Sequence, residues 1–338
     1  MDTATNPLDG TRIAYRSFGA LPAHGDPRDP AHAPVVLVHG TALSQAIWRG
    51  FGWVRALSPT RQVITLDLRG HGRSGTPHEP AAYAMDLMVA DVVAVLDAVG
   101  ASAVHHVGYS LGARVGFSLA AAHPDRLLST SSLGGSPRSG VGVFDRVFFP
   151  GCIDALETGG MPGFLEAWER HSGHPVAAAT RGAFLADDAR ALAAYMRESE
   201  RDAGVPDQVV AGSAVPLLLV AGTRDPERLR AAHHVKALRP DAPLVELAGA
   251  THADTPRHPE ALPAVARFLD AQAGLPHDLL LILGGGLMGG YTTFSTASLE
   301  TVRLAQAGRI GAALANGVGM LVVCVAAAGL GIVVGQAL

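Results

Sequence analysis

Apolar residues fall into short continuous runs across residues 1–273 and into two long runs after them. Val35-Val-Leu-Val38, the run at 63–67 and the run at 104–108 are unbroken and end in Gly or Asp, as expected for parallel strands buried on both faces. Between them the apolar spacing turns helical at 44–57 and 84–99. A hairpin is expected around 11–18, followed by a loop rich in Pro, His and Asp up to about 33. After 104–108 the pattern predicts a helix over 111–123, stopped by Pro124, and a strand at 127–132 with a Gly-rich exit. The rhythm lapses over about 134–212 into helix-prone and Gly-rich pieces, the composition of an inserted lid. It resumes with a strand at 215–222, a helix at 226–239, a strand at 244–247 and a helix at 259–271. Alternating strands and helices predict an α/β domain over 1–273, with a mostly parallel sheet, helices on both faces and a helical lid.

Beyond Gly274 the pattern changes. Residues 279–299 and 310–338 contain no charged side chain, and each exceeds the about 18 apolar residues that mark a membrane-spanning helix. Glu300, Arg303 and Arg309 lie between them. The expectation is a two-helix transmembrane hairpin over 274–338. The mean hydropathy of +0.24 agrees, being high for a soluble protein. A net charge of -4 gives no electrostatic footprint for nucleic acid, which is excluded as a partner. Cys152 and Cys324 stand in stretches of different character, so no disulfide is expected and a reducing compartment is implied. Residues 1–40 show no basic start followed by an apolar core, so a cytosolic start is expected.

The chemistry concentrates at Gly108-Tyr-Ser110-Leu-Gly112, where a strand pattern breaks sharply into a helix pattern. Glycines around Ser110 remove Cβ atoms that would clash, so its hydroxyl can stand exposed above the sheet. The peptide N–H of Leu111 and the positive end of the helix then face any oxyanion forming there. A serine hydroxyl needs a histidine base and an acid to orient it. Asp225 follows one strand in Gly222-Thr-Arg-Asp225, and His252 follows the next in Gly249-Ala-Thr-His252. Asp225 also reads as a helix N-cap before Pro226, a role compatible with the first. Thr41, after His39-Gly40, ends the strand expected beside that of Ser110, so its N–H is the second candidate oxyanion donor; each such donor is worth about 3 to 4 kcal/mol.

As a set, His39-Gly40, Asp67-Leu-Arg-Gly-His-Gly-Arg-Ser74, the Ser110 elbow, Asp225 and His252 resemble the α/β-hydrolase fold family over residues 1–273. The resemblance implies Ser110 as nucleophile, His252 as general base and acid, Asp225 as its orienter, Thr41 and Leu111 as oxyanion donors, and no cofactor for the hydrolase. A serine at the elbow argues against carbon–halogen cleavage and for a small-molecule acyl substrate, an ester, lactone or thioester; carbon–carbon hydrolases and perhydrolase-like members carry the same triad. Phe144, Phe148, Phe149, Phe164 and Trp168 in the lid suggest an apolar acyl or aromatic pocket. His71 and Arg73 are expected to structure their loop, and His105 and His106 to be packed. His171, His174, His233 and His234 lack the carboxylate or cysteine partners of a metal site and are expected to be solvated.

In the tail, Gly284-Gly-Gly-Leu-Met-Gly289 fits a dinucleotide-binding spacing, but no acidic residue stands about 20 positions on and too little chain follows. Small residues separated by three others, as at Gly285 and Gly289, suit close packing of membrane helices instead. Gly289-Gly-Tyr-Thr-Thr-Phe-Ser-Thr296 would be costly in mid-membrane unless it faced a polar path or an ion. It resembles the third transmembrane helix of Fluc (CrcB-type) fluoride channels, with 310–338 resembling the fourth. The resemblance implies a structural sodium ion near Gly290 and Thr293, and a fluoride path along Phe294 and Ser295. Ala297 stands where the family usually has a second phenylalanine, and the family's first two helices have no counterpart in the sequence. The expected setting is the cell membrane, multi-pass, with a cytoplasmic hydrolase domain. Membrane lipid and either further copies of the chain or a separate channel half are the expected partners.

Overall fold

The computed structural model describes residues 1–19, 33–138, 140–272, 301–314 and 316–319. The chain divides into two compact units, Met1–Ala273 and Gly274–Leu338.

The first unit is built on eight strands: β1 (Asp2–Thr5), β2 (Arg12–Phe18), β3 (Val35–Val38), β4 (Val63–Leu66), β5 (Val104–Tyr109), β6 (Leu127–Leu133), β7 (Leu217–Gly222) and β8 (Leu244–Leu247). They form one sheet in the order β1-β2-β4-β3-β5-β6-β7-β8. β1 and β2 pair antiparallel and β2 joins β4 antiparallel; every pairing from β4 to β8 is parallel. The helices are α1 (Ala46–Gly50), α2 (Trp53–Leu57), α3 (Met85–Ala98), α4 (Leu111–Ala122), α5 (Val143–Val147), α6 (Cys152–Ser172), α7 (Ala178–Leu185), α8 (Ala189–Arg201), α9 (Asp207–Gly212), α10 (Pro226–Leu238) and α11 (Ala261–Gln272).

Every residue of β3 to β5 is buried, so successive side chains feed two cores on opposite faces. Val36 and Val38 join Met88 and Val92 of α3 and Val115 of α4, whereas Val35 and Leu37 join Trp48, Trp53, Leu57 and Val265. α3 and α4 therefore cover one face, and α1, α2 and α11 the other. The β3–β5 boundary is where successive connections depart in opposite directions, the crevice at which open α/β sheets bind ligands.

Three expectations change in detail. The helix expected over 44–57 is two helices, because Gly52 takes φ 82° between them. The segment at 11–18 is a single strand, β2, whose hairpin partner is the first residues of the chain. The lid consists of α5 to α9, with a break inside α6 at Gly160, where φ 60° and ψ -164° interrupt the helix just before Pro162.

In the second unit, residues 301–306, 310–314 and 316–319 are helical, and Asn316 Nδ2 donates to Thr301 Oγ1 at 3.0 Å. Among the described residues no helix is long and apolar enough to cross a membrane. The expected span at 279–299, the Gly284–Gly289 stretch, Gly290, Thr293, Phe294 and Ser295, and all of 320–338 with Cys324 lie outside the described residues.

Candidate active site

Ser110 sits between β5 and α4 with φ 53° and ψ -110°, a left-handed conformation that a non-glycine residue holds only when its surroundings enforce it. Its N–H donates to Leu133 O at 2.9 Å, and its carbonyl accepts from Arg114 N at 3.1 Å. The neighbouring glycines are required by close approach. A Cβ on Gly108 would collide with the backbone of Gly112 and Ala113, and one on Gly112 would collide with the carbonyl of Val38. Helix and strand can meet this closely only without side chains at those positions.

His252 lies in the turn after β8, and its Nε2 is 3.0 Å from Ser110 Oγ. Its Nδ1 is 2.6 Å from Asp225 Oδ2. Asp225, at the end of β7, is the N-cap of α10 and accepts from Arg228 N at 3.3 Å through Oδ1. Burial alone would raise the Asp225 pKa, but the hydrogen bond and charge of His252, with the Arg228 N–H, hold it below the usual carboxylate value. Ser110, His252 and Asp225, 142 and 27 residues apart in sequence, thus stand in one hydrogen-bonded line.

The His252 turn is held from several sides. Tyr109 OH donates to the His252 carbonyl at 3.0 Å, and the two rings lie 5.2 Å apart. Asp254 accepts from Thr251 N at 3.1 Å and from the Thr251 hydroxyl, and with Arg257 these bonds bring its pKa down to about 2. Gly134, at φ 58°, leaves room for the ring, since a Cβ there would stand 3.2 Å from it. The His252 side chain remains 30% exposed, so the line opens to solvent at its serine end.

Thr41 lies across from the elbow. His39 Nε2 accepts from Leu68 N at 3.0 Å, which places the ring proton on Nδ1, and Nδ1 donates to Gly40 O at 2.8 Å. The turn at Gly40 and Thr41 is thereby pinned to the end of β4. Ala42 follows at φ 54°. Asp67 braces the same region: it accepts from Gln45 N at 2.8 Å, Gln45 Nε2 at 3.1 Å and Arg73 N at 3.1 Å. His71 is buried against the Arg69 carbonyl and Arg73 binds through its backbone, so both structure their loop. His105 and His106 are buried in β5.

Other assignments gain detail. The lid aromatics form their own core: Phe148, Phe164, Trp168 and Phe184 pack mutually at 5.1 to 6.0 Å, and Phe164 is fully buried. Burying these rings against one another is a large hydrophobic gain, while Phe144, of the same expected set, stands 5.8 Å from Tyr195. His233 and His234 are exposed, as expected, but each has a carboxylate neighbour, Glu246 at 3.2 Å and Asp207 at 3.1 Å. Among the described residues no group of three His, Cys, Asp or Glu could hold a metal ion. Tyr195 was not legible as a site residue. It lies on α8, is 3% exposed, and its hydroxyl is 3.1 Å from Thr41 Oγ1.

Residues 33–151 match the family model described as alpha/beta hydrolase fold. The enol-lactonase from Burkholderia xenovorans LB400 superposes with a TM-score of 0.65 at 25% identity, covering 80% of this chain and all of that one. The first unit has the α/β-hydrolase fold. The chain is also 40% identical over 110 residues to the rhodomycin D methylesterase DnrP of Streptomyces peucetius, 32% of this chain and 37% of that protein. Residues 247–332 match the model for CrcB-like protein, Camphor Resistance, and 62 residues are 58% identical to the fluoride-specific ion channel FluC 1 of Leifsonia xyli subsp. xyli, 18% of this chain and 45% of that protein. The second match begins inside the first unit, at the end of β8. The chain spans between about a third and a half of the length of the curated relatives it matches first.

Proposed function

We propose that the chain is a serine hydrolase of carboxylic esters, lactones or thioesters, with Ser110, His252 and Asp225 as its catalytic triad. The observation that carries this reading is the 3.0 Å approach of Ser110 Oγ to His252 Nε2, with the same ring held through Nδ1 by Asp225. With its proton on Nδ1, the neutral imidazole offers Nε2 to the serine hydroxyl. Ser110 Oγ bonds to the acyl carbon as its proton passes to Nε2; the imidazolium, steadied by Asp225, then protonates the leaving oxygen or sulfur. Water adds to the acyl-enzyme by the same proton route, releasing the carboxylic acid and restoring the serine. The Thr41 and Leu111 N–H groups are assigned to the tetrahedral oxyanion, supported by the pinned Gly40 turn and by the position of Leu111 at the start of α4. The names of the methylesterase and the lactonase favour the same substrate classes.

Fluorophosphonate labelling of the full chain, with p-nitrophenyl butyrate hydrolysis, tests this reading. Label and turnover are expected in the wild type, with turnover falling about a millionfold in Ser110→Ala. Turnover retained without Ser110 overturns it.

The 58% identity to FluC 1 favours a second reading for the tail, membrane attachment through a CrcB-like segment. On that reading the hydrolase domain is cytoplasmic and the membrane segment multi-pass. Gly290 and Thr293 would hold a sodium ion, Phe294 and Ser295 would line a fluoride path, and further copies of the chain or a separate channel half would complete it. Membrane partition of the full chain but not of residues 1–273 is expected. Fluoride efflux from vesicles holding the protein with a four-helix homologue, lost in Phe294→Ala, would extend the reading to conduction; absence of efflux limits the tail to an anchor.

A further inference from the structure

α8 is fixed along its whole length to the machinery around Ser110. At its start, Asp188 caps the helix through Arg190 N and Ala191 N, and its other oxygen is 2.9 Å from His78 Nε2 in the loop after β4. At its end, Arg114 of the nucleophile helix α4 donates to Ser199 Oγ at 2.7 Å and pairs with Asp202 at 2.5 Å. Between these anchors Tyr195 points inward. Its ring meets His71, Tyr83 and Phe144 at 5.9, 6.2 and 5.8 Å, all edge-on, and its hydroxyl reaches Thr41 Oγ1 at 3.1 Å.

We propose that Tyr195 is a positioning residue for the oxyanion turn: its hydroxyl fixes the Thr41 side chain, and through it the direction of the Thr41 N–H. The proposal rests on the serine-hydrolase reading. The phenol is the stronger acid of the two hydroxyls and is the natural donor, with Thr41 Oγ1 accepting. A turn of this kind needs such a brace. Ala42 holds φ 54° beside Thr41; the backbone before the turn is tied through His39 and that after it through Gln45 and Asp67, while the Thr41 side chain itself is held by Tyr195. A rigid ring on a helix anchored at both ends restrains an adjacent turn more tightly than a loop side chain could. The lid segment is thereby part of the wall of the reaction site, and its contribution is to the transition state rather than to the grip on substrate.

The experiment uses the full chain and p-nitrophenyl butyrate, with kcat, KM and the melting temperature measured for the wild type, Tyr195→Phe, Thr41→Val, Thr41→Ser and the double variant Tyr195→Phe/Thr41→Val. Tyr195→Phe and Thr41→Val are each expected to lower kcat about tenfold, less than the about hundredfold that a full ångström of misplacement costs, with KM within about twofold. The double variant should lose no more than either single variant, and Thr41→Ser, which keeps the hydroxyl, should lose less kcat than Thr41→Val. An unchanged kcat in Tyr195→Phe, losses that multiply in the double variant, or a raised KM at constant kcat overturns the proposal. If Tyr195→Phe does not fold, the Thr41→Val and Thr41→Ser pair tests the same bond from its other end, and equal activity in the two overturns it. A wild type that neither hydrolyses the ester nor takes a fluorophosphonate label overturns the serine-hydrolase reading together with this one; an active wild type with an indifferent Tyr195→Phe overturns this one alone.

Discussion

Asp225 holds His252 with one carboxylate oxygen and its own helix with the other: Oδ2 is 2.6 Å from the histidine Nδ1, and Oδ1 caps α10 at Arg228 N. The two roles separate by substitution. Asparagine caps helices as well as aspartate does but cannot hold the imidazolium, so Asp225→Asn should melt near the wild-type temperature while kcat falls about ten-thousandfold. Asp225→Ala should lose both, adding about 1 kcal/mol of destabilisation from the missing cap. Parallel melting curves and ester hydrolysis for the two variants check this.

Asp187, between α7 and α8, gives a pH dependence. Burial pushes its carboxyl up to about 7, opposed by the Gly72 N–H and assisted by the charge of Asp67, and its Oδ2 has no hydrogen-bond partner. The folded chain therefore holds this proton more tightly than the unfolded chain, whose value is about 3.9. The stability linked to it is complete below about pH 4 and is lost as the pH rises through about 7. Asp187→Asn should flatten that decline and raise the melting temperature at about pH 8, while leaving it nearly unchanged at about pH 4. Thermal melts across this range decide; parallel wild-type and variant curves would contradict it.

Arg69 is fully buried and fixes the loop after β4 to the first residues of the chain. Its Nε is 2.6 Å and its Nη2 2.7 Å from Asp91, its Nη1 is 2.7 Å from Asp9, and Asn6 Nδ2 donates to Asp91 at 2.7 Å. Arg69→Ala would strand the buried Asp91 charge and should cost about 3 to 5 kcal/mol. Arg69→Met combined with Asp91→Leu should recover most of it, because no fully buried charge is then left unpaired and Asp9 is partly exposed to solvent. Urea denaturation of the two variants measures the difference.

Gly116 is packed against His106. A Cβ there would overlap the buried imidazole, so Gly116→Ala should cost about 1 to 3 kcal/mol by overpacking. His106→Ala should make Gly116→Ala far less costly, since the ring is what the methyl group meets. A double-mutant cycle of melting free energies with no coupling would refute this.

The strands from β3 to β7 and the Ser110–His252–Asp225 line were legible because each rests on local pattern: continuous apolar runs, glycines at a fixed spacing, and an acid and a histidine just after successive strands. Tyr195 was not, because nothing in the spacing of α8 separates a tyrosine that reaches Thr41, 154 positions away, from one that only fills the core. The mutual packing of the lid aromatics was hidden for a related reason. Composition reports how much apolar surface a segment must bury, while its partners depend on the break at Gly160 and on how α6, α7 and α8 return against one another. The division of 44–57 at Gly52 was also hidden, since a glycine within a helical pattern reads as a tolerated weakness until its φ is known.

Gly108, Gly112 and Gly116 stand four residues apart, and each meets backbone or ring where a side chain would begin. At Gly108 and Gly112 strand and helix lie flush, without the spacer layer that ordinary side chains supply, and at Gly116 the His106 ring fills the gap. The height of the serine above the strands is thus set by missing atoms, and even one methyl group at Gly108 or Gly112 would lift the helix and carry Ser110 with it. Chemistry at Ser110 depends on a dimension of the scaffold, the thickness of one interlayer gap, as much as on the groups that react.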